Sequence, residues 1–296
     1  MNRRARHASG AALLLVMWLI ALLTALIGGF ALAARIEHMQ GVVLSRGFVA
    51  AQAARAGAEY AITRVTNSDP TQRWLSDGRT YPWHFADAQV EIRIIDENGK
   101  VDLNNADAQL LADLFRALGQ SRGDADRIAS AIVDWRDPDS LTQAAGGAED
   151  ADYASAGLPY GAKDAPFEDV AEVQQVLGMT PALYASAADV LTVYTGRAQP
   201  DPAFAAAPVL TAMGLDAEQI IAMRERFSAG SGQPQPVLPG GQPLVADSSG
   251  TYSIESRARL ADGRKSVLRV VVRTGGNGLP GSAYTPLRWE EGTSLR

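Results

Sequence analysis

The fold is decided by residues 3–38, RRARHASGAALLLVMWLIALLTALIGGFALAARIEH, in which three arginines and a glycine precede an apolar run. The run, residues 11–34, holds 24 residues without a charge. A helix needs about 20 apolar residues to cross a bilayer, whereas the apolar core of a secretory signal is about 7–15 residues long. The length therefore predicts a membrane-spanning helix. Arg3, Arg4 and Arg6 are expected to keep its N-terminus in the cytoplasm.

Two alternatives to a plain membrane anchor stay open at this point. The stretch FALAA, residues 30–34, offers small residues at which a signal peptidase would release a soluble protein. A cut before the apolar run would instead leave a shortened chain that is still held by its helix.

The composition indicates a folded protein with an acidic surface. Of 296 residues, 47% are hydrophobic and 20% are charged, which is enough for one or two domains with real cores. The net charge is −6, and because the three leader arginines contribute +3, the rest of the chain carries −9. Such a surface is poorly suited to nucleic acid. Cysteine is absent, which excludes disulfides and thiol chemistry.

A helical pattern continues beyond the apolar run to about Val65. The segment is rich in alanine, and its apolar residues recur every three or four positions. Residues 67–70, NSDP, then end the helix. One half of such a rod suits lipid and the other half suits packing against protein, so the pattern is typical of a protein that assembles.

Two β ribbons are predicted after the helix. Residues 90–104, VEIRIIDENGKVDLN, alternate around Asn98-Gly99, and residues 251–274 alternate around Asp262-Gly263, both of which favour tight hairpins. The long stretch between the ribbons has a helical pattern, so it is expected to be inserted into one antiparallel sheet. The tail after Thr274 is rich in glycine, proline and serine, which predicts a flexible segment.

The middle of the chain contains three helix–glycine–helix units that resemble helix-hairpin-helix modules. Their turns are Leu118-Gly119, Leu177-Gly178 and Met213-Gly214, and Asp124, Thr180 and Asp216 are expected to cap the second helices. Such modules often bind DNA phosphate, but residues 100–200 hold seven basic residues against 16 carboxylates. A packing role is therefore favoured, and a membrane-anchored, competence-type DNA-binding protein is the alternative.

The leader and the long helix resemble those of type IV pilins and type II secretion pseudopilins. The resemblance implies that a prepilin peptidase cuts after Gly10 and that the new N-terminus, Ala11, is methylated. Most members have a glutamate five residues into the mature chain, whereas this chain has Leu15. A subunit without that carboxylate suits a tip position, where no subunit lies above it.

A second resemblance covers nearly the whole chain except the tail. The elements Asp134-Trp135-Arg136-Asp137, the stretch GAEDADY at residues 147–153, and PYGAKDAPF at residues 159–167 resemble the signature of type II secretion protein K, the large minor pseudopilin. The lack of the pilin glutamate is also typical of that family.

The resemblance implies an α+β fold with a pilin-like long N-terminal helix, an antiparallel β-sheet and a large inserted α-helical domain with helix-hairpin-helix-like units. The expected parts are a leader (1–10), a long helix (11–66, transmembrane at 11–34), a first β region (67–103), the inserted helical domain (104–240), a closing β region (241–275) and a flexible tail (276–296).

The implied function is that of a minor pseudopilin that caps the pseudopilus tip and helps initiate its assembly for export of folded proteins across the outer membrane. Expected partners are the I- and J-type minor pseudopilins through the helix, the major pseudopilin below the tip, the prepilin peptidase and the inner-membrane secretion platform; secreted cargo is a further candidate, and nucleic acid is not. The expected location is the bacterial inner membrane, single-pass, with the globular part in the periplasm.

An acidic, glycine-rich stretch follows the first helical unit. It contains Asp134, Asp137, Asp139, Glu149, Asp150 and Asp152. Calcium takes six to eight oxygen ligands from flexible loops, although this spacing is not that of an EF-hand. From the residues alone, a calcium site and a solvated acidic loop are both open, and the resemblance to protein K implies the calcium site.

Catalytic chemistry has little support in the sequence. The three histidines are His7, His38 and His84, and the sequence contains no nucleophile elbow, zinc-ligand spacing or phosphate-binding loop. An anchored periplasmic enzyme is therefore disfavoured, and no cofactor other than Ca²⁺ is expected.

Overall fold

The computed structural model describes residues 9–227, 236–238, 241, 243–244, 248–275 and 283–292. The helices are α1 (Ser9–Val65), α2 (Ala108–Ala117), α3 (Arg122–Arg136), α4 (Asp150–Ser155), α5 (Pro181–Ala187), α6 (Ala207–Ala212) and α7 (Ala217–Arg226). The strands are β1 (Asp77–Phe85), β2 (Ala88–Asp96), β3 (Val101–Asp102), β4 (Leu191–Thr192), β5 (Thr251–Leu260), β6 (Lys265–Thr274) and β7 (Tyr284–Gly292). The predicted α+β class is confirmed.

Five strands form one antiparallel sheet in the order β1-β2-β5-β6-β7. Because β2 pairs directly with β5, the whole helical region between them is an insertion at one point of the sheet. The predicted hairpin at Asp262-Gly263 is confirmed, since β5 and β6 pair on either side of it.

Helix α1 packs on one face of this sheet through small residues. Ala50, Ala54, Ala58 and Ala61 are almost fully buried, and the chain ends its helix at Val65 as predicted. A Cβ at Gly57 would lie 2.7 Å from a methyl carbon of Val90 and would also clash with the hydroxyl of Ser256 on β5. The helix therefore approaches the strands more closely than a larger side chain would allow.

The N-terminal part of α1 extends beyond the sheet. Its apolar side chains are exposed, whereas those of the C-terminal part are buried. From Ala12 onward α1 contains an apolar window with a mean hydropathy of 2.5, and none of that window is buried within the protein. By length and composition it is able to cross a membrane.

The inserted region has a core of its own. Helix α2 packs against both α3 and α6, and the large buried side chains of this core include Leu111, Phe115, Ile132, Tyr153, Leu191 and Leu210. The three predicted glycine turns occur as expected, because Gly119, Gly178 and Gly214 all have positive φ.

The second helix of each unit begins at a capping residue. Thr180 and Asp216 cap α5 and α7 as predicted. The prediction of Asp124 as a cap was wrong: Ser121 accepts the hydrogen bond from the Asp124 N–H and begins α3 one turn earlier.

The predicted hairpin at Asn98-Gly99 was wrong. The Asp96 side chain accepts from the Asn98 N–H and begins a 3₁₀ turn over Glu97–Gly99, after which β3 leaves the sheet and pairs in parallel with β4. Gly99 is required there because a Cβ would lie 2.5 Å from the backbone of Phe204. Asn98-Gly99 therefore lies where the chain leaves the five-stranded sheet and enters the inserted region. Strand β2 instead pairs in a hairpin with β1, whose turn includes Ala86 at a φ of 53°.

The prediction of a flexible tail over residues 276–296 was wrong for residues 284–292, which form the edge strand β7. The Tyr284 hydroxyl lies 2.7 Å from Oε1 of Glu59 on α1, and the Arg55 guanidinium lies 5.5 Å from the ring centre of Trp289. These contacts hold the strand against the helix, while antiparallel pairing with β6 places it in the sheet. Residues 276–282 and 293–296 lie outside the described residues.

The close approach at Gly57 yields a test with a matched control. Gly57→Ala is expected to lower the free energy of unfolding by about 1–3 kcal/mol, because the added methyl group overpacks the helix against the sheet. Gly47→Ala in the same helix has open space around it and is expected to be neutral or stabilising by up to about 1 kcal/mol. Thermal unfolding of the full chain in detergent compares the two, and equal effects would contradict the packing argument.

Candidate functional site

The predicted processing site lies at the start of α1. Gly10 and Ala11 belong to the helix, and Leu15 is 72% exposed on its surface, which suits contact with lipid. Residues 1–8, which include the basic leader, lie outside the described residues. Cleavage after Gly10 and methylation of Ala11 therefore stay predictions.

The acidic stretch forms a loop that closes over the last turn of α3. Asp134 is fully buried, and its carboxylate accepts from the Gln143 N–H at 3.2 Å. A Cβ at Gly147 would collide with the same carboxylate, so only glycine lets the returning loop come this close. Gln143 and Gly147, nine and thirteen residues further along the chain, thus both contact Asp134.

Two carboxylates beside Asp134 each have one oxygen without a hydrogen-bond partner. Among the described residues, Oδ1 of Asp137 and Oε1 of Glu149 are buried side-chain atoms without a partner. Glu149 as a whole is only 7% exposed. Burying a carboxylate oxygen without a partner is unfavourable unless the group is protonated or meets a cation.

The acid–base behaviour of this cluster follows from that burial. Desolvation, together with repulsion from Asp134 and Asp164, raises the pKa of Glu149 to about 7. Desolvation also raises the pKa of Asp134, and the same cause, followed by repulsion from Asp139, raises the pKa of Asp137. The carboxyl groups therefore lie close enough to oppose one another's ionisation.

The structure brings together only part of the predicted ligand set. Asp134, Asp137, Asp139 and Glu149 influence one another electrostatically. Asp152 instead accepts from the Glu149 N–H at 3.0 Å and caps α4, and Asp150 lies against Gly161. These two carboxylates serve the local helix.

Sequence analysis missed Asp164, which joins the cluster from a separate loop. It has a φ of 53°, an uncommon conformation for a residue with a side chain. Nothing in the local sequence marks it, since it lies 15 residues beyond Glu149 and meets the cluster only through the fold.

The chemistry of the cluster fits a hard cation that prefers oxygen ligands. Buried carboxylate oxygens without partners are what calcium would satisfy. Within the described residues, however, no three acidic or histidine side chains already converge as a metal site. An ion would have to draw the carboxylates together, and the mutual repulsion described above would be relieved by it.

An aromatic cluster packs next to the acidic loop. Trp135 lies between Asp134 and Arg136 and packs near Tyr153, Tyr160 and Phe167. Its indole N–H donates to Glu172 at 3.0 Å. The aromatic residues of the signature stretch thus pack together around Trp135, next to the acidic loop.

Comparisons with known proteins agree with this architecture. Residues 90–196 match the family model described as type II secretion system protein K. Type II secretion system protein K of Pectobacterium carotovorum subsp. carotovorum is 29% identical over 123 residues. That match spans 40% of this chain and 37% of the relative, so the chain is aligned with little more than a third of the relative's length.

A solved structure shares the fold. The match is to a chain of the crystal structure of the GspK-GspI-GspJ complex from the type 2 secretion system of enterotoxigenic Escherichia coli, with a TM-score of 0.53 and 17% identity. It covers 88% of this chain and 99% of that chain. The resemblance to protein K that the sequence motifs indicated is confirmed.

The buried carboxylates predict an unusual pH dependence in the metal-free protein. A folded-state pKa of about 7 for Glu149, above its ordinary value of 4.5, means that the folded state holds a proton that the unfolded state releases. Stability in chelator is therefore expected to fall as pH rises from about 5 to about 7. Glu149→Gln should flatten this change, as measured by thermal unfolding across that range.

A matched control isolates the effect. Glu168 has an 88% exposed side chain on the same domain, and Glu168→Gln should leave the pH dependence as it is in the parent protein. An unchanged slope in Glu149→Gln would show that Glu149 is not the group that holds the proton.

Proposed function

Because residues 90–196 match the protein K family of the type II secretion system, we propose that this chain is a minor pseudopilin that caps the pseudopilus tip and helps initiate its assembly. The system would thereby export folded proteins across the outer membrane. The match of the inserted domain carries this proposal, and the long apolar helix joined to an antiparallel sheet supports it.

The apolar part of α1 would hold the protein in the bacterial inner membrane as a single span. The basic leader favours a cytoplasmic N-terminus, which leaves the sheet and the inserted domain in the periplasm. The prepilin peptidase would cut after Gly10, Ala11 would be methylated, and the helix would be kept. The absence of a glutamate at Leu15 suits the tip, because no subunit above would supply an amino terminus to pair with it.

Contacts with other subunits would run along α1 between the membrane and the sheet. Leu44 and Phe48 are 73% and 65% exposed there, although they are large apolar residues outside the apolar run. Helices of the I- and J-type minor pseudopilins would cover them, with the major pseudopilin below. The structural neighbour is a chain of a GspK-GspI-GspJ complex, which supports partners of this kind.

The other classes of function have less support. The acidic charge of the inserted domain disfavours the DNA-binding alternative. Protein K is a structural component of a secretion machine, which supports a non-enzymatic role. The inner-membrane platform and the secreted cargo are expected partners because of the proposed role. No site described above is assigned to either of them.

We also propose that the acidic loop binds a calcium ion. Asp134, Asp137, Asp139 and Glu149 would hold it, and Asp164 lies near enough to add its charge. A bound ion would satisfy the two buried oxygens that lack partners and would order the loop against α3. Its role would be structural, with no step of chemistry attached to it.

The proposed function predicts a secretion defect that depends on the surface of α1. In cells lacking this chain, export of a folded protein should stop and should return when the chain is supplied. Phe48→Glu should fail to restore export and should lose co-purification with the smaller minor pseudopilins, because a charge would be buried between helices. Phe48→Leu should restore both. Export by cells lacking the chain, or partner binding by Phe48→Glu, would contradict the proposal.

The calcium site predicts a stability change on metal removal. Calcium should raise the melting temperature at pH 7.5 and slow proteolysis of residues 138–149, whereas magnesium should do so less, since it prefers a rigid site of fewer ligands. Asp137→Asn should abolish the calcium effect, and Asp124→Asn, in the first turn of α3 and outside the cluster, should retain it. A chelator without effect on melting or on proteolysis would contradict the proposal.

A further inference from the structure

The sheet carries a basic rim at the end nearest the apolar part of α1. We define the basic rim as Arg257 and Arg259 on β5, Lys265 on β6 and Arg264 in the turn between these strands. Arg259 pairs across the strands with Lys265, so both side chains lie on the face of the sheet that is turned away from α1. The inward residues Ala258 and Leu260, which alternate with the arginines, are buried.

Two contacts fix the height of the basic rim along α1. The Arg264 guanidinium donates to the Val43 carbonyl, and Arg46 pairs with Asp262 of the same turn at 3.1 Å. Arg46 also pairs with Asp87 in the β1–β2 turn at 3.4 Å. Both hairpin turns are therefore held beside residues 43–46 of α1, on the side of the sheet that faces the apolar run.

The distance from this level to the membrane is short. Val43 and Arg46 follow the end of the apolar run by nine and twelve residues, which corresponds to about 14–18 Å of helix. The headgroup layer occupies about 5–8 Å of that rise. The remaining gap is comparable with the Debye length of about 8 Å at physiological ionic strength, so the cations would feel the charge of the lipid surface.

Charge is unevenly distributed over the molecule. Asp87 and Asp262 are paired with Arg46, and Arg257 pairs with Glu255 at 2.6 Å. Asp262 also pairs with Arg264 at 3.7 Å and Glu91 lies opposite Arg257, whereas Arg259 and Lys265 form no ion pair within the described residues. The inserted domain, in contrast, holds an excess of nine carboxylates over residues 100–200. The two cations of the basic rim without a carboxylate partner among the described residues, Arg259 and Lys265, thus lie side by side at the membrane-facing end of an acidic protein.

We propose that the basic rim docks on anionic phospholipid headgroups of the membrane that holds α1. The inference rests on the membrane anchoring in the proposed function and goes beyond it. Docking would fix the height and tilt of the sheet above the membrane before assembly, and extraction into a pseudopilus would break it. An acidic protein segment is the other candidate occupant, and the position of the rim beside the membrane favours lipid.

The chain contains a natural reporter for this contact. Its three lysines are Lys100, Lys163 and Lys265. Lys100 is buried in an ion pair with Glu97, and Lys163 pairs with Glu172 in the inserted domain, whereas Lys265 is exposed in the basic rim. The rate at which an amine reagent labels Lys265, relative to Lys163, therefore reports on the rim alone.

The test uses the full chain in nanodiscs of phosphatidylcholine with or without phosphatidylglycerol. Labelling of Lys265 should slow by about fivefold with phosphatidylglycerol and recover at high salt, because each cation near an anionic surface is attracted to this extent. The double variant Arg257→Glu/Arg259→Glu should abolish the difference. Arg122→Glu, at a site with an 87% exposed side chain on α3, should preserve it.

A second measurement covers the case in which the double variant does not fold. The chain has no cysteine, so Gln89→Cys, opposite Arg259 on the same face, accepts a single spin label whose depth is measured directly. The label should lie closer to the bilayer when phosphatidylglycerol is present. Arg259→Gln should reduce that shift.

The outcomes separate this proposal from the proposed function. Equal labelling of Lys265 in the two nanodiscs, with the chain inserted in both, would overturn lipid docking and leave the anchoring intact. Stronger protection by added poly-glutamate in neutral nanodiscs than by anionic lipid would overturn it in favour of an acidic protein. Failure of the chain to enter nanodiscs at all would overturn the anchoring and the docking together.

Discussion

The close packing of α1 on the sheet is the contact on which the rest of the structure depends. Alanines and Gly57 let the helix backbone approach β2 and β5, and the buried hydroxyl of Ser256 lies directly beneath that glycine. The C-terminal part of α1 is buried in this contact. The N-terminal part of the helix projects away from the sheet, and its apolar side chains are exposed. The same helix thus builds the core of one domain and carries a segment long and apolar enough to cross a membrane, and Arg46 lies between these two parts.

The inserted domain uses a different kind of constraint, which is buried charge. Asp102 accepts hydrogen bonds from the backbone of Gly196 and from the side chain of Thr195, so its burial is fully compensated. The cluster around Asp134 and Glu149 is not compensated in this way, and this contrast within one domain is what singles it out. Burying such a cluster of carboxylates would lower the stability of the fold unless the groups were protonated or a cation met them.

Much of the fold could be predicted from the sequence because its signals are local. The apolar run, the end of α1 near Val65, the glycine turns and the Asp262-Gly263 hairpin each depend on neighbouring residues. The predictions were wrong where contacts between residues that are distant in the sequence determine the local structure. Phe204 determines the conformation at Gly99, and Glu59 and Arg55 recruit β7 from a segment whose composition indicated flexibility. In the acidic site, Asp134 and Glu149 were recognisable, whereas Asp164 and the capping role of Asp152 depend on how the loops meet.

The central claim is that the apolar helix is both processed and retained. The most direct measurement is the mass of the N-terminal peptide of the protein from cells with and without the prepilin peptidase. The account predicts a peptide that begins at methylated Ala11 and is seen only when the peptidase is present. A mature N-terminus near Ala34, or one that does not depend on the peptidase, would contradict it.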